Sequence, residues 1–213
     1  MKKMKIIIFD GTFKTTTFIN RLVCGLSDKH EVSILGFNEK TTHKLQNVSY
    51  VSLGSNNSNL RFLKTSIALR GANIKQQINL FSLLLKGEKR MIKEENLQLV
   101  VNKIQPDIIH FQWVSVLSYF DKLILPKITK TIFSQRGYQI NVRPFIDKTN
   151  RNLLESIFPK IDGFHSVSKA IQKKSNEIYT SPLKIDRVVY SGFDEDLFRF
   201  KNTWNTNKKI QIL

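Results

Sequence analysis

Ile161-Asp162-Gly163-Phe164-His165-Ser166-Val167-Ser168, and then Val188-Val189-Tyr190-Ser191-Gly192-Phe193-Asp194-Glu195-Asp196-Leu197-Phe198, are the two stretches on which the reading of this chain turns. The first is a short apolar run whose end, Ser-Val-Ser, opens a helix. The second is a β-branched run closed by a glycine turn and an acidic cap, the way a parallel strand hands over to a short helix. Two such handovers in succession predict adjacent parallel strands with their carboxyl ends on the same side.

Working back from there, short apolar runs alternate with helical patterns. Lys5–Phe9, Glu31–Gly36, Val48–Leu53, Asp107–Phe111, Lys130–Ser134, Gly163–Val167 and Arg187–Tyr190 read as strands, too short and too apolar for amphipathic helices. Thr17–Ser27 reads as a helix, with Phe18, Ile19, Leu22, Val23 and Leu26 on one face and Cys24 expected on its apolar side. This βαβ rhythm predicts an α/β fold, a Rossmann-like doubly wound parallel sheet. The stretch at about 60–105 departs from it. Ile67, Ile74, Ile78, Phe81 and Leu85 keep helical spacing, and Leu97, Val100, Val101 and Ile104 keep it again up to Pro106. It reads as an inserted helical pair. Gly54–Asn59 is a loop by composition, and Asn202–Lys209 is polar enough for a linker.

The 213 residues carry 34 basic and 17 acidic side chains, a formal charge of +17, and the excess peaks in 61–105, with 9 basic against 3 acidic. Such a bias suits an anionic partner or a solvated surface. No helix-turn-helix, zinc or RNA-recognition pattern accompanies it, so specific nucleic-acid binding is not expected. Lys75, Lys86, Lys89, Arg90 and Lys93 would give the inserted helices a basic face, compatible with an anionic membrane surface or with ordinary solvation. The apolar run after Met1-Lys2-Lys3-Met4-Lys5 is too short for a signal peptide, and no window reaches a membrane span. A cytoplasmic protein, peripheral at the inner face of the membrane if it meets one, is the expectation. A single cysteine excludes an internal disulfide.

In a parallel sheet, ligands gather beyond the carboxyl ends of the strands. After the first strand come Gly11, Thr12, Lys14 and Thr16, a small-residue loop feeding a helix N-terminus where backbone N–H groups can hold an anion. Neither a dinucleotide fingerprint nor a G-K-[ST] phosphate loop is present. After the fourth come His110, Gln112 and Trp113; a Trp face suits the C–H side of a pyranose and a Gln amide suits its hydroxyls. After the fifth come Arg136, Gly137 and Tyr138. Arg is always charged and forks onto phosphate, but shuttles no proton. His110 also reads as a core histidine, and Ser168 as a plain N-cap. No metal spacing and no nucleophile constellation stand out, so catalytic residues stay unassigned.

The order of these segments resembles family 4 glycosyltransferases, in which the closing strands read roughly "ad-x-hh-x-VS" and "hh-x-NG-hD-x-x-x-F". Thr17-Phe18-Ile19 with His30-Glu31-Val32-Ser33-Ile34 resembles the family's opening, with Thr16 in place of Glu and Lys29 in place of Gly. Pro106-Asp107-Ile108-Ile109-His110 resembles "P-D-hh-H", and Ile132–Ile140 resembles "hh-x-h-H-G-x-D-h", with Arg136 in place of His and Gln139 in place of Asp. The resemblance implies the N-terminal, acceptor-side half of a GT-B fold, similar to exopolysaccharide and capsule enzymes. It implies transfer of a sugar, with retention, from a nucleotide-sugar donor to a lipid-linked or saccharide acceptor in surface polysaccharide assembly. No resident cofactor is expected. It places Ser168, Lys169, Ser191, Gly192 and Asp194 at an interdomain cleft, with 1–201 as the domain and 202–213 as a linker and the first strand of a missing C-terminal donor domain. On that reading the chain alone is inactive. The alternatives are a non-catalytic Rossmann-like module holding an anionic lipid, polymer or nucleic acid, and a sugar-nucleotide epimerase on the same two-domain fold.

Overall fold

A computed structural model describes residues 2–13, 16–37 and 44–192. Seven parallel strands form one sheet in the order β3-β2-β1-β4-β5-β6-β7: β1 Lys5–Gly11, β2 Glu31–Gly36, β3 Val48–Ser52, β4 Ile108–Phe111, β5 Lys130–Gln135, β6 Gly163–Ser166 and β7 Asp186–Val188. Every expected strand is present, with ends displaced by up to two residues. The order runs outward in both directions from the β1–β4 pair, where Ile6 stands opposite Ile108 and Phe9 opposite Phe111. Right-handed crossovers on the two sides of that pair carry the chain to opposite faces, so the loops after β1 and β4 diverge and leave a crevice.

Strand alternation sorts the core. Ile7, Phe9, Ile109, Phe111 and Phe133 face one side and pack under α4 (Lys89–Ile104), α5 (Val114–Leu117), α8 (Lys148–Ile157) and α9 (Lys169–Asn176). Ile6, Ile8, Val32 and Ile34 face the other and meet α1 (Thr17–Ser27) through Ile19 and Val23. Two short helices, α6 (Gly137–Asn141) and α7 (Arg143–Ile146), complete the path between β5 and α8. Beyond α1, Ile108, Ile132 and Ile185 on that second face line an apolar groove of about 360 Å³ among the described residues.

The insertion holds three helices, not two: α2 (Asn59–Arg70), α3 (Ile74–Leu85) and α4. The breaks fall at Gly71 (φ 55°) and Gly87 (φ 74°), both at a positive φ that glycine adopts without a Cβ penalty. The side chains of Ser58 and Asn73 cap α2 and α3 by accepting from the Arg61 and Gln76 amides. A buried network ties the insertion to the sheet: Asn96 Nδ2 donates to the Leu53 carbonyl at 3.0 Å and to Ser66 Oγ at 2.9 Å, while Arg70 Nη1 donates to Asn96 Oδ1 at 2.7 Å. Cys24 corrects a second expectation. Its thiol is exposed, because the buried arc of α1 is narrow and centres on Ile19 and Val23. No described helix is long and apolar enough to cross a membrane. The linker and final strand expected within 202–213 lie outside the described residues.

Candidate functional site

The crevice is built on β1, β4 and β5, whose carboxyl ends deliver Asp10, Gln112 and Arg136 to one place. β1 ends on Gly11, whose φ of 84° turns the chain, and a Cβ there would sit 2.5 Å from Val116 Cγ1. Across the turn, a Cβ on Gly36 would meet the Thr12 backbone at 2.8 Å, so Gly36 lets the loop lie close to β2 while Gly11 lets it pass Val116 of α5. Thr16 then caps α1 without a side-chain bond, and its buried Oγ1 has no partner among the described residues.

Trp113 Nε1 donates to Asp10 Oδ1 at 2.7 Å, and the Thr12 hydroxyl donates to Oδ2 at 3.2 Å. Burial nevertheless raises the Asp10 pKa above its ordinary value, opposed by the Trp113 and Thr12 hydrogen bonds and the Arg136 charge. The Arg136 guanidinium lies 4.1 Å above the Phe18 ring and 5.8 Å from that of Trp113. Its Nη2 donates to Gln112 Oε1 at 2.9 Å and to Ser134 Oγ at 3.2 Å. Burial lowers its pKa to about 10, opposed by Asp10, which leaves it a cation at neutral pH. Two buried donors, Arg136 Nε and Gln112 Nε2, find no acceptor among the described residues. Unpaired buried donors beside a held cation are the equipment of a site for an anionic or oxygen-rich ligand.

Beneath Arg136 a polar ladder crosses three strands: His110 Nε2 to Ser134 Oγ at 2.8 Å, Ser134 Oγ to His165 Nδ1 at 3.1 Å, and His165 Nε2 to the Val189 carbonyl at 3.1 Å. A carbonyl only accepts, so His165 carries its proton on Nε2 and receives the Ser134 hydroxyl on Nδ1. Ser134 Oγ is then left to accept from His110 Nε2–H and Arg136. Both rings are neutral at pH 7, because burial disfavours their charged forms. Burial pushes His110 down to about 3, helped by His165 and Arg136, and burial lowers His165 as well.

The mouth of the crevice is a cleft of about 280 Å³ lined by Phe18, Arg21, Arg136, His165, Ser191 and Gly192, among others. Arg21 Nη1 donates to the Gly192 carbonyl at 2.8 Å, holding the segment after β7 against α1.

The structure thus gathers Gly11, Thr12, Thr16, His110, Gln112, Trp113 and Arg136 around one crevice, with Ser191 and Gly192 at its rim. Gln112 is fully buried and spends its carbonyl on Arg136, so it positions that cation from below. Gly137 and Tyr138 are exposed on α6, beside Arg136 in sequence. Ser168 accepts from the Ile171 amide as a helix cap, and Lys169 is exposed on α9. Lys14 and Asp194 lie outside the described residues. Sequence reasoning missed Asp10, Phe18, Arg21, Ser134 and His165. For His165 the signal was alternation: buried Phe164 faces the main core, so its neighbour faces Ser134, with which it is in register. Among the described residues no group of His, Cys, Asp and Glu side chains gathers as a metal-binding cluster.

No protein-family model matches this sequence, and no curated protein matches it. Solved structures match the fold. Anabaena Alr3699/HepE in complex with UDP-glucose superposes with a TM-score of 0.55 at 13% identity over 93% of this chain and 47% of the other. The sucrose-phosphate synthase of Thermosynechococcus elongatus gives 0.58 at 10% identity, over 92% and 50%. The lipopolysaccharide outer core galactosyltransferase WaaB, in its apo form, gives 0.52 at 15% identity, over 88% and 45%. The chain spans about half the length of the structures it matches, and its Rossmann-like sheet is the fold of one half of these GT-B glycosyltransferases.

Proposed function

We propose that this chain is the acceptor-side half of a glycosyltransferase resembling family 4, which moves a sugar from a nucleotide-sugar donor to a lipid-linked or saccharide acceptor. The observation that carries the reading is a half-buried cation, Arg136, that lines the cleft at the switch point of the sheet and keeps its Nε unsatisfied, with the unsatisfied Gln112 Nε2 beneath it. The likeness in fold to an enzyme solved with UDP-glucose supports it.

In this reading Arg136 neutralises a phosphate oxygen of the donor or of a phospholipid acceptor. Phe18 and Gln112 hold the guanidinium in place before the ligand arrives, so little reorganisation is needed. His110 is neutral and committed to Ser134, and is not offered as a base. Charge neutralisation and positioning are then the contribution of this half, and the donor is substrate, not resident cofactor. Retention of anomeric configuration, a role in surface polysaccharide assembly and a cytoplasmic location belong to the same proposal. So does the requirement for a second, donor-binding domain, without which the chain is inactive.

The test is transfer from a panel of nucleotide sugars by this chain alone and by the protein encoded with any sequence downstream of Leu213. Turnover by the longer protein and none by the chain is the expected result. In that protein Arg136→Ala should lower kcat/KM by roughly a hundredfold, as loss of a buried charge-assisted contact implies. Full activity of this chain by itself, or of the Arg136→Ala protein, would overturn the proposal.

A further inference from the structure

The outer face of α3 is the least explained surface of the molecule. Ile74, Ile78, Phe81 and Leu85 are 74%, 65%, 51% and 91% exposed. At about 100° per residue they fall within roughly 60° of one another, opposite the buried Leu80 and Leu83. Gln77 Nε2 donates to the Ile67 and Gly71 carbonyls at 3.1 and 2.9 Å, which lays the end of α2 beside the start of α3 and extends the strip to exposed Ile67. A contiguous apolar strip on a folded surface marks an interaction site.

The surroundings of the strip say what it meets. Lys64, Lys75 and Lys86 are exposed along α2 and at the two ends of α3. Residues 59–104 carry nine basic and three acidic side chains. Two of those carboxylates are already engaged, Glu94 with Arg90 and Glu95 with Arg70. At the top of α4, Lys89 and Lys93 donate to the neutral side chains of Asn59 and Asn56. Burial lowers the Lys93 pKa, and Lys89 and Arg90 push it further the same way. An apolar strip edged by cations complements a bilayer: side chains enter the acyl boundary while lysines meet anionic headgroups. A second copy of this chain would bring the same positive charge to the contact and be repelled.

We propose that the exposed face of α3, from Ile74 to Leu85, docks onto a membrane surface bearing anionic lipids. The inference rests on α2–α4 alone and stands apart from the glycosyl-transfer reading. Its test is cosedimentation of this chain with phosphatidylcholine vesicles, with and without phosphatidylglycerol, in low and high salt.

Binding to the anionic vesicles in low salt, and little to the neutral ones, is expected. The triple variant Ile78→Ser, Phe81→Ser, Leu85→Ser should lower the partition coefficient by roughly tenfold or more. Each of Lys64→Gln, Lys75→Gln and Lys86→Gln should lower it by up to about fivefold. All these side chains are exposed, and circular dichroism of the variants should be unchanged. Equal binding to neutral and anionic vesicles, no binding to either, or undiminished binding by the serine variant would overturn the proposal. So would a concentration-dependent dimer that the serine substitutions abolish, in the absence of vesicle binding.

Discussion

Trp113 Nε1 reaches Asp10 Oδ1 at 2.7 Å across the line where the sheet reverses its winding. Asp10 lies at the carboxyl end of β1 and Trp113 begins the connection out of β4, so one hydrogen bond spans the crevice that the topology opens. The bond also fixes the indole plane against the edge of Phe18, at 6.1 Å, and so helps set the stack on which Arg136 rests.

Trp113→Phe keeps the ring and removes the donor. Asp10 Oδ1 then stays buried without a partner, which should cost about 1–3 kcal/mol, read as a lower urea midpoint. The Asp10 pKa should rise further, because a hydrogen bond that lowers it is gone. Asp10→Asn introduced into Trp113→Phe should cost less than in the parent protein. Additive losses in the double variant would argue against the bond as described.

Acid should loosen this fold before its carboxylates titrate. Both His110 and His165 are held below the usual 6.5, His110 at about 3, so between those values the unfolded chain binds protons that the folded chain refuses. The stability is fully present above about pH 6.5 and is lost as pH falls through that value toward the folded one. From pH 7 to pH 5, His110 alone should account for about 2 kcal/mol. Urea unfolding of His110→Gln at the two pH values should show a correspondingly smaller drop; an unchanged drop would count against a neutral, buried ring.

Gly11→Ala should be among the more damaging single-methyl changes. The position needs a φ of 84°, and the added Cβ would lie 2.5 Å from Val116 Cγ1. The two effects together should cost about 2 kcal/mol or more. Val116→Ala on top of it should recover the steric part and leave the backbone part, a partial rescue that thermal unfolding can resolve.

Cys24 is exposed on α1, so a disulfide reagent such as DTNB should titrate one thiol per chain without denaturant. A thiol that reacts only in guanidinium would contradict its position on the helix.

The strands were legible because they are short runs, most of them rich in β-branched or aromatic residues, set between turn and helix signals, and α1 because its apolar spacing is regular over three turns. The insertion was misread by one helix. Its leucines run through the breaks, while Gly71-Ala72-Asn73 and Gly87-Glu88, which carry the stop signals, are short enough to pass for helix. The site was legible only as strand ends. A sequence places Gln112 and Trp113 after β4, but whether such a side chain faces the crevice or supports it depends on what the neighbouring strand brings. Here β5 brings Arg136, whose guanidinium takes the Gln112 carbonyl. Ser134 and His165 escaped notice because their partnership lies in the register of β5 with β6, a relation between distant segments.

The pairing of β1 with β4 also sets an order of events during synthesis. β1 leaves the ribosome ahead of β2 and β3, which follow closely, but the partner for its other edge, beginning at Ile108, arrives only after the whole helical insertion has been made. Until then a strand carrying Ile6, Ile7, Ile8 and Phe9 has an open edge, and contacts this far apart in sequence form slowly. Chaperone dependence during translation should therefore concentrate in nascent chains that end before β4 and fall once Phe111 has emerged.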